Sequence, residues 1–142
     1  MTGVDDAIAK VPMFAHIPEK ERKHLAASFK ERTFPAGKVI SEAGQGGVGF
    51  FIIDSGTASV VVGGKLRRTL SSGDFFGEMA LIEDWVRTAT VTADTDLHCY
   101  GLTAWDFRPM VQSHPDVAWS LLVTMARRVR ELETTPREPA EQ

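Results

Sequence analysis

Between Phe34 and Leu102 the apolar rhythm of the chain is broken every few residues, and this punctuation limits the possible folds more than any other feature of the sequence. Short runs rich in valine, isoleucine, threonine and phenylalanine ("FFIID", "TASVVV", "KLRRTL", "RTATVTA", "LHCYGL") are separated by Ser55-Gly56, Gly63-Gly64, Ser71-Ser72-Gly73-Asp74 and Asp94-Thr95-Asp96. β-Branched and aromatic side chains suit a pleated, half-buried surface, while glycine, serine and aspartate provide the backbone conformations and local hydrogen bonds of tight turns. Several short strands at this spacing indicate a sandwich or barrel and not a parallel α/β sheet.

The rhythm is helical on either side of this block. "DDAIAKVPMFAHIPEKERKHLAASFKERTF" has helical spacing around Leu25, Ala26 and Phe29, with Pro18 placed to open a helix. Thr103, with Asp106 three residues on, makes a helix start for "AWDFRPMVQ"; "SHPD" breaks that helix, and Ser113, Pro115 and Asp116 open a last one running to about Glu133. The expected organisation is one domain over 1–133, with a helical part at 4–32, β-structure at 33–102 and helices at 103–133, followed by a polar, frayed tail at 134–142.

Composition removes several classes of function. The 142 residues are 43% apolar, enough for one domain with a real core and no staples. Sixteen basic against nineteen acidic residues give a net charge of -3, which offers no broad basic surface to nucleic acid or membrane, so any anion bound here is bound locally. The single cysteine, Cys99, excludes an internal disulfide framework, and no second cysteine or histidine cluster offers a metal set. The start "MTGVDDAIAK" is unlike a signal peptide and no apolar run reaches membrane-spanning length, so a reducing cytoplasm is expected. There is no Gly-x-Ser-x-Gly elbow, phosphate loop or dinucleotide fingerprint, and an enzyme is not expected. Cys99 reads as a core residue in mid-strand, and His98, alternating with Leu97 and Cys99, as an outward one.

Chemistry converges on "FGEMALIEDWVRTATV", Phe76 to Val91. A glycine before a short helical turn lets a ligand approach the backbone, and the free N–H groups of that turn favour an anion. Gly77 and the turn that follows supply this. Arg87, on the next strand, adds a planar fork suited to two oxygens of one phosphate. Glu78 beside it suits a ribose hydroxyl. Together these groups match a phosphate joined to a ribose in a nucleotide of low charge; alone, a glutamate and an arginine nine residues apart would be a surface ion pair.

This stretch closely resembles the phosphate-binding cassette of cyclic nucleotide-binding domains, as found in protein kinase A regulatory subunits, cyclic-nucleotide-gated channels and catabolite activator-type regulators. The pattern Phe-Gly-Glu-x-Ala-Leu followed by Arg-x-Ala-x-Val carries the resemblance, and "FPAGKVISEAG", "FFIIDSGTASVVV", "LSSGDFFGE" and "HPDVAWSLLVTMARRVRELE" extend it over about Val11 to Glu133. It implies a mainly β fold, an eight-stranded β-roll (a jelly-roll-like double-stranded β-helix) with N-terminal helices and a C-terminal helix pair. It implies no cofactor and a ligand that is cyclic AMP or cyclic GMP, cyclic AMP being the more expected. The implied contacts are Phe76, Gly77, Glu78, Met79, Ala80, Arg87, Thr88 and Ala89, with Glu78 on the ribose 2′-hydroxyl and Arg87 on the cyclic phosphate. Trp85 and Glu133 are candidates for the base. Here the loop before the arginine is "EDWV", where many cassettes carry glycine or proline, and Leu132 and Glu133 stand where the catabolite activator protein uses hydroxyl residues to reach adenine.

On the last helix Ala118, Leu122, Met125, Val129 and Leu132 alternate spacings of four and three, a coiled-coil seam over about two heptads, with Val117 and Leu121 widening the stripe. The resemblance implies a homodimer through this helix; packing on the chain's own domain is the other reading. Arg127, Arg128 and Arg130 read as a solvated basic face. No output domain is expected after Glu133, so the expectation is a stand-alone nucleotide receptor acting on an unknown effector. The alternatives are a non-binding interaction module of the same fold and the sensor fragment of a larger transcriptional regulator.

Overall fold

A computed structural model describes residues 3–15, 17–41, 49–77, 81 and 89–134. Helix α1 (Gly3–Ala9), a 3-10 turn (Pro12–Phe14) and α2 (Glu19–Ser28) precede the strands, and Pro18 stands immediately before α2. Eight strands follow among the described residues: β1 (Lys30–Phe34), β2 (Val39–Ser41), β3 (Gly49–Ser55), β4 (Ala58–Val62), β5 (Lys65–Leu70), β6 (Phe75–Phe76), β7 (Thr90–Ala93) and β8 (Leu97–Thr103). Helices α3 (Ala104–Ser113) and α4 (Pro115–Thr134) close the chain. Thr103 caps α3 by accepting a hydrogen bond from the Asp106 amide at 3.3 Å. No helix among the described residues is long and apolar enough to cross a membrane.

The strands form two four-stranded antiparallel sheets, β1-β8-β3-β6 and β2-β7-β4-β5. This is the mainly β, eight-stranded roll with flanking helices. One boundary moves: β1 begins at Lys30, inside the stretch expected to be helical to residue 32, and pairs along its whole length with β8, from Lys30↔Gly101 to Phe34↔Leu97. "KERTF" carries one apolar residue, so periodicity does not mark it, and charged side chains are what an edge strand such as β1 uses to discourage further pairing.

Alternation along β3 builds two cores at once. Phe50 and Ile52 enter a cluster between the first sheet and the helices, with Phe14, Leu25, Leu102, Phe107, Val117 and Leu121. Ile53 and Phe51 face the other way, into the space between the sheets, with Ala58, Leu70, Phe76, Val91, Leu97 and Cys99. The roll is also stitched at its turns: the Asp96 carboxylate accepts from the Ala36 amide, and the Thr95 hydroxyl from the Thr57 amide, both at 3.0 Å. Gly56 must be glycine, since its φ is +96° and a Cβ there would collide with the Asp96 carbonyl.

Helix α4 has two apolar sides. Val117, Leu121 and Thr124 are buried on the domain, whereas Trp119, Leu122, Val129 and Leu132 are exposed. Of the expected seam, Ala118 and Met125 are half-buried and the other three members are open to solvent.

His98 points away from the space between the sheets and bridges three strands, its Nε2 3.0 Å from Glu31 and its Nδ1 3.0 Å from Asp54. Two carboxylates facing both ring nitrogens favour the imidazolium, and the Glu31 contact above all raises the pKa above its ordinary 6.5 against the opposing effect of burial. A raised folded-state pKa contributes stability that is fully present below the unfolded-state value and is lost as pH rises through the folded-state value. Relative to His98→Gln, the wild type should therefore lose stability between about pH 6 and about pH 8. Urea midpoints of both proteins at the two pH values test this; parallel changes would remove the role assigned to His98.

Candidate functional site

The segment 77–89 spans the two sheets. It leaves the first where β6 pairs with β3, Phe76↔Phe51, and joins the second where β7 pairs with β4 and β2. At its start Gly77 has φ +87°, a left-handed conformation that lets the chain turn off the strand without a Cβ penalty. Phe76, just before it, is buried in the inter-sheet core and stacks on Phe51 with centroids 5.3 Å apart. Leu81 does the opposite, entering the helix-side cluster that also holds Phe107, Val117 and Leu121. Ala89, half-buried, leads into β7. Glu78, Met79, Ala80, Trp85, Arg87 and Thr88 lie outside the described residues, and so does "EDWV" as a whole. Glu133 is exposed near the end of α4.

One residue not singled out in the sequence joins this region. Val60 packs against the inter-sheet core, and Arg68 of β5 lies directly across from it, so the two share the inner face. Simple alternation would put Leu66, Arg68 and Leu70 on one face. The register slips at Arg67, so Leu66 pairs with Val61 instead and is 62% exposed on the other side. Arg68 thereby adds a cation to a largely apolar inner face. Alternation of "KLRRTL" with buried Leu70 is the sequence cue that could have found it.

Cys99 also lies on the inner face, and burial pushes its thiol up to about 12, so it stays protonated and inert. Among the described residues no group of three histidine, cysteine or carboxylate side chains is placed to hold a metal ion. What the described residues of this region offer is the left-handed turn at Gly77, apolar walls and the cation of Arg68. That suits a small anion carrying a flat apolar group.

The profile of the cyclic nucleotide-binding domain family matches residues 31–114. The chain belongs to the cyclic nucleotide-binding domain family. The match covers β1 to β8 and α3, including all of segment 77–89, and the family is one of binding modules, not of catalysts. A cyclic nucleotide-gated potassium channel of Mesorhizobium japonicum is 35% identical over 111 residues, 78% of this chain and 31% of the channel. The chain thus spans about a third of that relative's length.

Two solved structures place the fold. The N-terminal domain of a transcriptional regulator from Streptomyces coelicolor A3(2) superposes with a TM-score of 0.84 at 26% identity, over 90% of this chain and 93% of that one. The Thermus thermophilus catabolite activator protein gives 0.69 at 30% identity, over 87% and 60%. Both superpositions extend beyond the matched roll into the flanking helices, since 90% and 87% of the chain exceed the share taken by residues 31–114.

Proposed function

We propose that this domain is a receptor for cyclic AMP or cyclic GMP whose occupancy is transmitted to α4. Glu78 accepts a hydrogen bond from the ribose 2′-hydroxyl, Arg87 forks onto the cyclic phosphate, and backbone groups from Gly77 to Ala80 complete the cradle with Thr88 and Ala89 beside it. Arg68 faces the same chamber from β5 and adds attraction for the anion. Trp85 and Glu133 are the candidates for the base. The observation that supports transmission is Leu81: it lies within segment 77–89 and shares a core cluster with Val117 and Leu121 of α4. Moving the segment therefore disturbs the packing that seats the last helix. Ligand shifts that equilibrium only by the difference in its affinity for the two arrangements.

Cyclic nucleotide should raise the melting temperature in a dose-dependent way, because ligand bound only by the folded state adds about 2.7 kcal/mol at a hundred times its Kd. Titration calorimetry with each nucleotide at millimolar concentration checks this directly. No heat and no thermal shift with either would leave a non-binding module of the same fold.

The open side of α4 supports a homodimer. Leu122, Val129 and Leu132 are 60%, 55% and 77% exposed, and they repeat at spacings of seven and three on a helix already anchored through its opposite side. Leu122→Lys should convert the dimer to a monomer in sedimentation velocity runs without changing secondary structure. Equal monomeric masses for wild type and variant would remove the dimer. Running both with and without nucleotide shows whether occupancy changes assembly.

A further inference from the structure

We propose that the domain carries a second ligand site, separate from segment 77–89, that takes a flat organic monoanion. The site is a cavity of about 390 Å³ over the start of β1, the start of β3 and the end of β8, within the range of small-molecule pockets. Its floor is aromatic. Phe51 and Phe34 meet edge to face at 5.9 Å, and the Phe51 ring lies across Gly101, where an added Cβ would sit 2.9 Å from the ring. Gly49 flanks the same ring, with an added Cβ 3.2 Å away. The two glycines let the ring lie close against the backbone, beside Phe76, on which it stacks at 5.3 Å. Trp105, 63% exposed on the first turn of α3, forms the side wall.

Charge selects the ligand. Lys30, Arg32 and Phe34 alternate onto one face of β1, which places two exposed cations at the rim of the aromatic floor. Among the described residues neither side chain has an ionic or hydrogen-bonding partner. Asp106 is the single acid of the lining, so the rim carries a net charge of one positive unit. Two cations over aromatic faces attract an anion whose body stacks; the one carboxylate disfavours a dianion. A bicyclic aromatic carboxylate or sulfonate has the matching shape and charge.

Anilinonaphthalene sulfonate is a fluorescent probe of this class. The full chain should bind it saturably at one site, and Lys30→Glu combined with Arg32→Glu should weaken binding about ten-fold or more, since both contacts become repulsive. Trp105→Ala should weaken it independently. Leu122→Lys, on the exposed side of α4, and Arg87→Ala, in segment 77–89, should leave it unchanged. The proposal is overturned if the charge-reversed variant, folded as judged by circular dichroism, binds as the wild type does. It is equally overturned if Leu122→Lys or Arg87→Ala abolishes binding, or if uncharged anilinonaphthalene binds as tightly as the sulfonate. Loss of cyclic nucleotide binding in Arg87→Ala with retained probe binding separates the two sites.

Discussion

Replacing Arg87 with alanine is expected to weaken cyclic nucleotide binding by roughly 2–5 kcal/mol, the usual cost of truncating one side of a desolvated charge pair. This corresponds to about thirty-fold to several thousand-fold in Kd. The size of the effect follows from the poverty of charge in the proposed chamber. The chain has a net charge of -3, and its inner face is built from Ile53, Val60, Phe76, Val91 and Cys99. An anion in such a setting depends on very few cations, among which Arg68 of β5 is exposed on the inner face. Arg87→Lys should recover only part of the loss, because an ammonium keeps the charge and loses the two-pronged geometry. Calorimetric titration of the three proteins decides the matter. Equal affinities for wild type and Arg87→Ala would show that the nucleotide is held elsewhere or not at all.

Phe50→Ala is expected to destabilise the fold by about 3–5 kcal/mol, the range for deleting a large aromatic side chain from a packed core. Phe50 is fully buried on β3 and meets Phe14, Phe29 and Phe75 edge to face, at 5.7, 6.0 and 6.0 Å. These partners come from the N-terminal turn, the end of the α2 segment and β6, so the cavity would open where helices and sheet are joined. Several rigid neighbours make collapse into the void difficult, which favours the upper part of the range. Phe50→Leu keeps most of the volume and should cost less than about 1.5 kcal/mol. Urea unfolding with an unchanged m-value measures both. A loss below about 1 kcal/mol for the alanine variant would mean that the two layers do not depend on this ring.

How much of this was legible in the sequence differs from element to element. β3 and β4 lie where phenylalanine, isoleucine and valine runs meet glycine turns, β5 and β8 are bounded by Gly63-Gly64 and Asp94-Thr95-Asp96, and α3 starts at the Thr103 cap, because these features act over a few residues. β1 was hidden: "KERTF" is an edge strand whose charges face solvent, and only its pairing with β8 makes it a strand. The two-faced burial of α4 was visible as a wide stripe, but which side the domain takes was not. The family was recognisable from Phe-Gly-Glu and Arg-x-Ala-x-Val, and the profile match over residues 31–114 shows it. Arg68 and the Lys30–Arg32 rim were not recognised, since a lone arginine or lysine in a strand gives no hint of what lies across from it.

The sequence by itself determined the class of fold, the helical flanks of the strands and the family to which the chain belongs. Each of these depends on local chemistry: turn residues, capping, apolar period and a short motif. Only the tertiary structure decided that β6 and β7 belong to different sheets, so that segment 77–89 bridges them with Leu81 set in the helical core. Likewise only the register slip at Arg67 turns Leu66 outward while Arg68 keeps the inner face, and only pairing across β1, β8 and β3 brings Glu31 and Asp54 to His98. These are contacts between residues far apart in the chain. They are set by strand register and layer packing, to which no local run of residues commits the chain in advance.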